Sequence, residues 1–400
     1  MVVLIICILV LLLLLVLNKQ SIKNHYKILN PVSLIIYTWI LVYICHYYYW
    51  PNRDYSNTIY ILTTTGICFL AIGFWSSLPA ISQAKDSHIS TQYSYKFLKK
   101  CVQFLIFVEI FRMVHFVHII VYKLAGGAWA MVLDSNALRN AYLHYDASII
   151  EKIWGFSGNL MAYIGYVVLS IYLTSKYPKR WLYFTIVCLF ELSIAIITMS
   201  KLSFSLFVAA ILITYMNKLK NLKIQKQKFR KIAPFGVLVL ISYFFFIGYQ
   251  RNYMMTRDSL QDGVLDGIVN YFGGPLEALG IIIERTKSQY MFHGFESIDI
   301  GRTETNVYTW FYNFYYVGSY AGFIIIPYII GWIAGKIYKP WKENFMYDVS
   351  NTWICLIFLF SFFDFLLRMT IFQILFIFAW FINKKWNRYI YDSGNSRRFN

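Results

Sequence analysis

The chain has 400 residues, 58% of them hydrophobic, 20% aromatic and 14% charged, with a formal net charge of +18. So little charge over so long a chain excludes a water-soluble core with a polar shell and describes a surface wetted by lipid. A nucleic-acid partner is also excluded, because no segment joins a broad basic face to a folded module.

In chain order, apolar runs long enough to cross ~30 Å of hydrocarbon at ~1.5 Å per residue fall at about 1–17, 32–50, 58–78, 101–124, 153–174, 181–199, 202–217, 233–249 and 314–335. The first lacks a basic leader and a small-residue cleavage pattern, and lysines follow it, so it is read as a retained helix rather than a secretion signal. The stretch 349–382 would be roughly 50 Å long as one straight helix, beyond the bilayer. Asp364 and Arg368 interrupt it, and two short helices joined near residue 366 are predicted. The expected fold is therefore all-α, a single polytopic membrane domain over 1–400 with about eleven transmembrane helices. Five of the six cysteines lie within these helices and Cys101 at a helix edge, which leaves no extracellular disulfide framework.

The gaps carry the orientation. Basic clusters occur at Lys19/Lys23/Lys27, Lys85/Lys96/Lys99/Lys100, Lys176/Lys179/Arg180, from Lys218 to Lys231, at Lys336/Lys339/Lys342, and at Lys384/Lys385/Arg388/Arg397/Arg398, in every second gap. Lys and Arg are retained on the cytoplasmic side. The N-terminus is thus expected outside and the C-terminus inside, with 383–400 as a cytoplasmic tail. Two outer segments are long enough to fold, 125–152 and 250–313. Within the second, residues 262–284 carry an apolar pattern broken by Gly273, Gly274 and Pro275, which predicts two short helical pieces on or in the membrane face.

Ionisable residues inside apolar runs are costly and face a bundle interior or an aqueous cavity. Glu109, Arg112, His115 and His118 follow one another at three-residue spacing, on one slowly drifting helix face. Either Glu109 and Arg112 form an internal ion pair, or Arg112 and His115 line a ligand pocket. Glu191, and Asp364 with Arg368, carry the same ambiguity. His115 and His118 lack the further ligands a metal site needs, and no metal or cofactor is expected. There is no glycine-rich phosphate loop, zinc pattern or nucleophile elbow, and the cytoplasmic gaps are too short for a nucleotide domain. Aromatic residues crowd the outer ends, as interfacial belts do. Tyr308, Tyr312 and Trp310 either belong to that packing or form a stacking platform for a sugar.

Four pieces in a fixed order, NPVS at 30–33, YQRN at 249–252, YFGGP at 271–275 and TETNVYTWFYNFYYVGSYAG at 303–322, resemble bacterial O-antigen and capsule repeat-unit polymerases. The resemblance implies an architecture like that of membrane-embedded GT-C-type glycosyltransferases and O-antigen ligases. It also implies an enzyme that moves a growing glycan from undecaprenyl diphosphate onto an incoming lipid-linked repeat unit. The work would be done at the outer face of the bacterial cytoplasmic membrane, with a chain-length regulator as a possible partner. Related ligases carry a histidine before the last outer glycines; Thr305 and Asn306 stand there in this chain, which favours a polymerase.

A departing diphosphate gathers negative charge, so the site needs fixed cations near the outer surface. The resemblance implies Arg251 as the phosphate-contacting arginine, and Lys201 where relatives usually have arginine, keeping the charge but not the bidentate fork. Arg139 in the first outer loop matches a basic residue typical of the family, with Arg302 assisting. Arg257, Asn306, Tyr308, Trp310, Arg112 and His115 are candidate substrate contacts, and Arg285 and Lys287 also lie in the large loop. Glu304 and His293 are the candidates for orienting the acceptor hydroxyl. The rival from another class is a lipid-oligosaccharide flippase, which would show paired halves and short loops; the sequence has neither. A membrane acyltransferase would need a histidine–acid pair and a cytoplasmic donor route.

Overall fold

The computed structural model describes residues 1–22, 27–51, 53–78, 93–127, 145–175, 177–198, 201–219, 222–252, 260–286, 298–300, 304–305, 309–340, 342, 344–362 and 370–391. They form α1 (Val2–Ile22), α2 (Pro31–Tyr49), α3 (Ser56–Ser77), α4 (Tyr95–Phe116) with a π-helical extension (Val117–Leu124), α5 (Ile149–Thr174), α6 (Arg180–Thr198), α7 (Lys201–Lys218), α8 (Leu222–Asn252), α9 (Leu260–Thr286), α10 (Trp310–Ile337), α11 (Phe345–Leu359) and α12 (Thr370–Ile390). The strands among the described residues are a two-residue antiparallel pair, β1 (Ile298–Asp299) and β2 (Glu304–Thr305), with Asp299 opposite Glu304. The molecule is all-helical in its architecture. Among the described residues seven helices, α1, α2, α3, α4 with its extension, α5, α6 and α10, are long and apolar enough to cross a membrane. Their exposed faces carry Ile, Leu, Phe and Val, such as Leu9 and Leu13 on α1 and Phe104 and Phe107 on α4, as lipid-facing helices require. The chain is a polytopic membrane protein.

The backbone groups into two compact units rather than one. The first comprises Met1–Ser87, Leu265–Lys342 and Trp353–Met369. Its α2 starts on a cap written in the NPVS sequence. Asn30 precedes the helix and its side chain accepts from the Ser33 amide, while Pro31 takes the first turn, where its missing N–H costs nothing. Asn18 of α1 donates to Asn30 (2.9 Å) and Ser33 (3.0 Å) and accepts from the Trp75 indole of α3 (3.0 Å), so this cap ties three helices together.

The tightest packing in this unit is α3 on α10. A Cβ placed on Gly73 would collide with the Tyr328 carbonyl, and one on Gly331 or Gly335 with the Leu70 or Phe74 carbonyl. Gly331 and Gly335 are one turn apart, the small-residue spacing that lets two membrane helices touch backbone to backbone. The run predicted as a single span at 314–335 is two helices. Ser319 has φ 49° and ψ −139°, a conformation that favours glycine. Beyond it the chain folds back, so that Phe311 and Phe323 stack at 5.5 Å, although twelve helical residues would hold them roughly 18 Å apart. Residues 310–318 therefore form a short helix lying against the start of 320–337. Its buried beginning meets the end of α11 near the middle of α2. The Trp310 amide donates to the Ser361 carbonyl (2.9 Å), the Trp39 indole to the Ser361 hydroxyl (2.9 Å), and the Thr38 hydroxyl to the Leu359 carbonyl (3.2 Å). Helix ends inside a membrane need such partners for their free backbone groups.

The interrupted segment in the large loop is one helix, not two pieces: α9 runs through Pro275. Proline removes one amide from the ladder, and a single lost bond does not break a helix packed on both sides of it. The glycines serve contact instead, since a Cβ on Gly273 would lie 3.0 Å from the His46 amide and the Trp50 ring.

The second unit comprises His88–Val264, Glu343–Thr352 and Thr370–Asn400. Here α4 packs on α5 and α6, and a Cβ on Gly155 or Gly158 would lie 2.9 Å from His115 or 2.8 Å from Arg112. The last turns of α4 widen to π-helical bonding and close on Gly126 and Gly127, both at positive φ. Nearby, Lys123 pairs with Glu151 at 2.6 Å, and Glu151 forms a capping box with Ser148 at the start of α5. At the opposite end of the unit Asp348 accepts from the Tyr93 hydroxyl and pairs with Lys218 at 2.5 Å. Burial, and then that carboxylate, hold the Tyr93 phenol well above the usual tyrosine range.

The basic stretch after Lys218, expected as a loop, is largely the first turns of α8, and α12 carries the expected tail as far as Ile390. Long basic side chains are good helix formers, so a span can continue past the apolar boundary without a break. The expected junction near residue 366, with Asp364 and Arg368, lies outside the described residues.

Candidate functional site

Among the described residues, fully buried carboxylates paired with a histidine or an arginine form one cluster in each unit. The first lies at the C-terminal end of α2. His46 is fully buried, with Nδ1 2.7 Å from the Tyr60 hydroxyl and Nε2 2.9 Å from Glu277 Oε2. This suits a neutral imidazole that donates to the carboxylate and accepts from the phenol. The other Glu277 oxygen accepts from the Tyr55 hydroxyl and forms an ion pair with Arg53 Nε at 3.1 Å. Burial, then the Glu277 carboxylate, push the Tyr55 phenol above its ordinary range. Glu277 itself is fully buried, whereas the Arg53 side chain is 45% exposed. The buried carboxylate thus anchors a half-exposed arginine. Next to it, the Trp50 indole donates to the Ile300 carbonyl at 2.9 Å. Fixed cations of this kind bind phosphate oxygens.

The second cluster lies within α4, α5 and α6. Arg112 Nη1 donates to Glu109 (2.6 Å), to the Tyr166 hydroxyl (2.8 Å) and to Glu191, and Arg112 Nε donates to Asn159 (3.0 Å). The Tyr166 hydroxyl also donates to Glu191. All three charged groups are buried. Of the two roles left open for Arg112, these contacts describe the internal charge partner. His115, one turn on, packs against Trp154 at 5.1 Å and beside Gly155.

The other expected site residues fall as follows. Arg251 is the next-to-last residue of α8, where a cation complements the helix dipole. Lys201 is the first residue of α7, where a cation opposes it. The side chains of both lie outside the described residues. Glu304 sits in β2 opposite Asp299, its side chain likewise not described. Arg139, Arg257, Lys287, His293, Arg302, Asn306 and Tyr308 lie outside the described residues, as does the side chain of Arg285. Trp310 is fully buried, edge-on to Phe358 at 5.5 Å, a packed core residue rather than an open platform. Tyr312 is buried too. Among the described residues no group of three or more His, Cys, Asp or Glu is placed to hold a metal ion.

Sequence reasoning missed Arg53, Glu277 and the role of His46. One signal was present: Arg53 is a basic residue in a gap that the charge pattern assigns to the basic-poor side. Glu277, two residues past YFGGP, sat unremarked in an apolar helical pattern. The chain matches no family model, no curated protein and no solved structure.

Proposed function

We propose that the chain is a repeat-unit polymerase of the O-antigen or capsule type, with about eleven spans in a GT-C-like, ligase-like architecture. It joins lipid-linked oligosaccharides en bloc at the outer face of the bacterial cytoplasmic membrane, with its N-terminus outside and its C-terminus in the cytoplasm. One observation carries the reading: three of the four sequence pieces behind the resemblance converge in one unit. The NPVS cap starts the helix that carries His46 in its last turn; Glu277, two residues beyond YFGGP, meets that histidine; the aromatic piece enters the same unit at Trp310.

In this reading Arg251 and Lys201 hold the departing diphosphate, with Arg139 and Arg302 assisting, and Arg53, braced by Glu277, is a further candidate cation. Glu304 or His293 orients the acceptor hydroxyl, and Arg257, Asn306 and Tyr308 contact the glycan. Arg112 and Trp310 are engaged inside their own units and take no part. The anomeric carbon passes from the diphosphate oxygen to the acceptor hydroxyl oxygen, the hydroxyl proton leaves to a base, and undecaprenyl diphosphate is released.

The in vivo test is Arg251→Ala. The protein is expected at normal abundance in the membrane, with long polymer abolished and single repeat units accumulating. A normal chain-length ladder at that abundance overturns the assignment.

A further inference from the structure

The Arg112 cluster holds more acid than base. Glu109 and Glu191 contact the same guanidinium nitrogen, both are fully buried, and α4 and α6 are both helices of membrane-spanning character. Because both bind one nitrogen, the two carboxyl groups lie side by side. Glu109 Oε1 and Glu191 Oε2 have no hydrogen-bond partner among the described residues. With both acids ionised, the cluster would carry an uncompensated negative charge in a hydrocarbon surround, a cost of several kcal/mol. Two carboxylates in contact repel; a proton between them turns the contact into a hydrogen bond and leaves the cluster neutral.

We propose that Glu109 and Glu191 form a proton-binding site inside the membrane domain, one proton being shared between the two carboxyl groups and braced against Arg112. The groups around it leave the proton nowhere better to go. From α5, the Tyr166 hydroxyl already donates to Glu191, Asn159 is occupied by Arg112 Nε, and Tyr163 stands nearby. From α6, Cys188 is one turn away. On α4 itself, His115 is one turn from Arg112, buried, with Nδ1 unpartnered. Beyond it, His118 is 45% exposed and lies 3.7 Å from Glu151. His118 is thus the exposed member of this helix face, and it lies where α4 becomes π-helical, a distortion frequent at functional positions. The charge count is independent of the polymerase reading. The loaded site is neutral and the emptied site carries one negative charge, so proton release weakens the contact between α4 and α6.

The test is infrared difference spectroscopy on the full-length protein in detergent at neutral pH. The readout is the protonated carboxylic C=O band, which shifts on transfer to deuterium oxide. The wild type is expected to show this band, and Glu109→Gln and Glu191→Gln are each expected to lose it, because one acid left with Arg112 ionises. The double variant Glu191→Gln/Arg112→Gln is expected to regain it, since the remaining Glu109 then has no cation. Absence of the band from the wild type, a measurement that needs no variant, overturns the proposal. Its persistence in either monodisperse single variant also does so.

Discussion

At the scale of single residues, the membrane domain spends its few charges on one another. Glu277 is the clearest case, a buried carboxylate whose two oxygens take His46, Tyr55 and Arg53. Glu277→Gln keeps the shape and removes the charge, so it can no longer accept on both oxygens. A loss of about 2 kcal/mol is expected, the scale of a buried hydrogen bond to a charged group. Thermal unfolding in detergent reads it, and an unchanged midpoint would show that the cluster does not hold α2, α3 and α9 together. Residue types alone hinted at such pairs only where spacing was local. Glu109 and Arg112 lie one turn apart and were legible as partners. Glu191 and Glu277, each far along the chain from the group it meets, were not, because nothing in a linear pattern reports which distant helix will face which.

At the scale of elements, apolar length and glycine spacing explain most of the packing. Gly73 is where α3 touches the α10 backbone, whereas nothing lies within 4 Å of a Cβ on Gly236 in α8. Gly73→Leu should therefore force the two helices apart and cost at least ~3 kcal/mol, with loss of monodisperse protein on size-exclusion chromatography. Gly236→Ala should gain up to about 1 kcal/mol of helix propensity. If the two behave alike, close backbone contact is not what joins α3 to α10. Hydropathy located nearly every helix, including the pair α11 and α12 in a stretch too long for one span. It failed at Ser319 and at Pro275 for opposite reasons. The fold-back at Ser319, just after Gly318, lies inside a continuous apolar run that reads as one span, and stacked aromatic rings hold it. The turn signature at Gly273 and Pro275 sits in a helix whose burial outweighs one missing bond.

At the scale of the whole molecule, the fold and the site are written into the chain to different degrees. The helical membrane architecture follows from the physical chemistry of the chain and is present in the structure. The candidate site is half legible: the segment around YFGGP was singled out from sequence, while its partners on α2 emerged only in three dimensions. The central claim is that this domain forms glycosidic bonds rather than moving lipids. It is tested most directly by incubating the purified protein in detergent with undecaprenyl-diphosphate-linked repeat units, where translocation has no meaning, and resolving the products by size. The account predicts a ladder of lengthened lipid-linked glycan with stoichiometric release of undecaprenyl diphosphate. Unlengthened substrate, from protein that moves the same lipid across a reconstituted vesicle membrane, would contradict it.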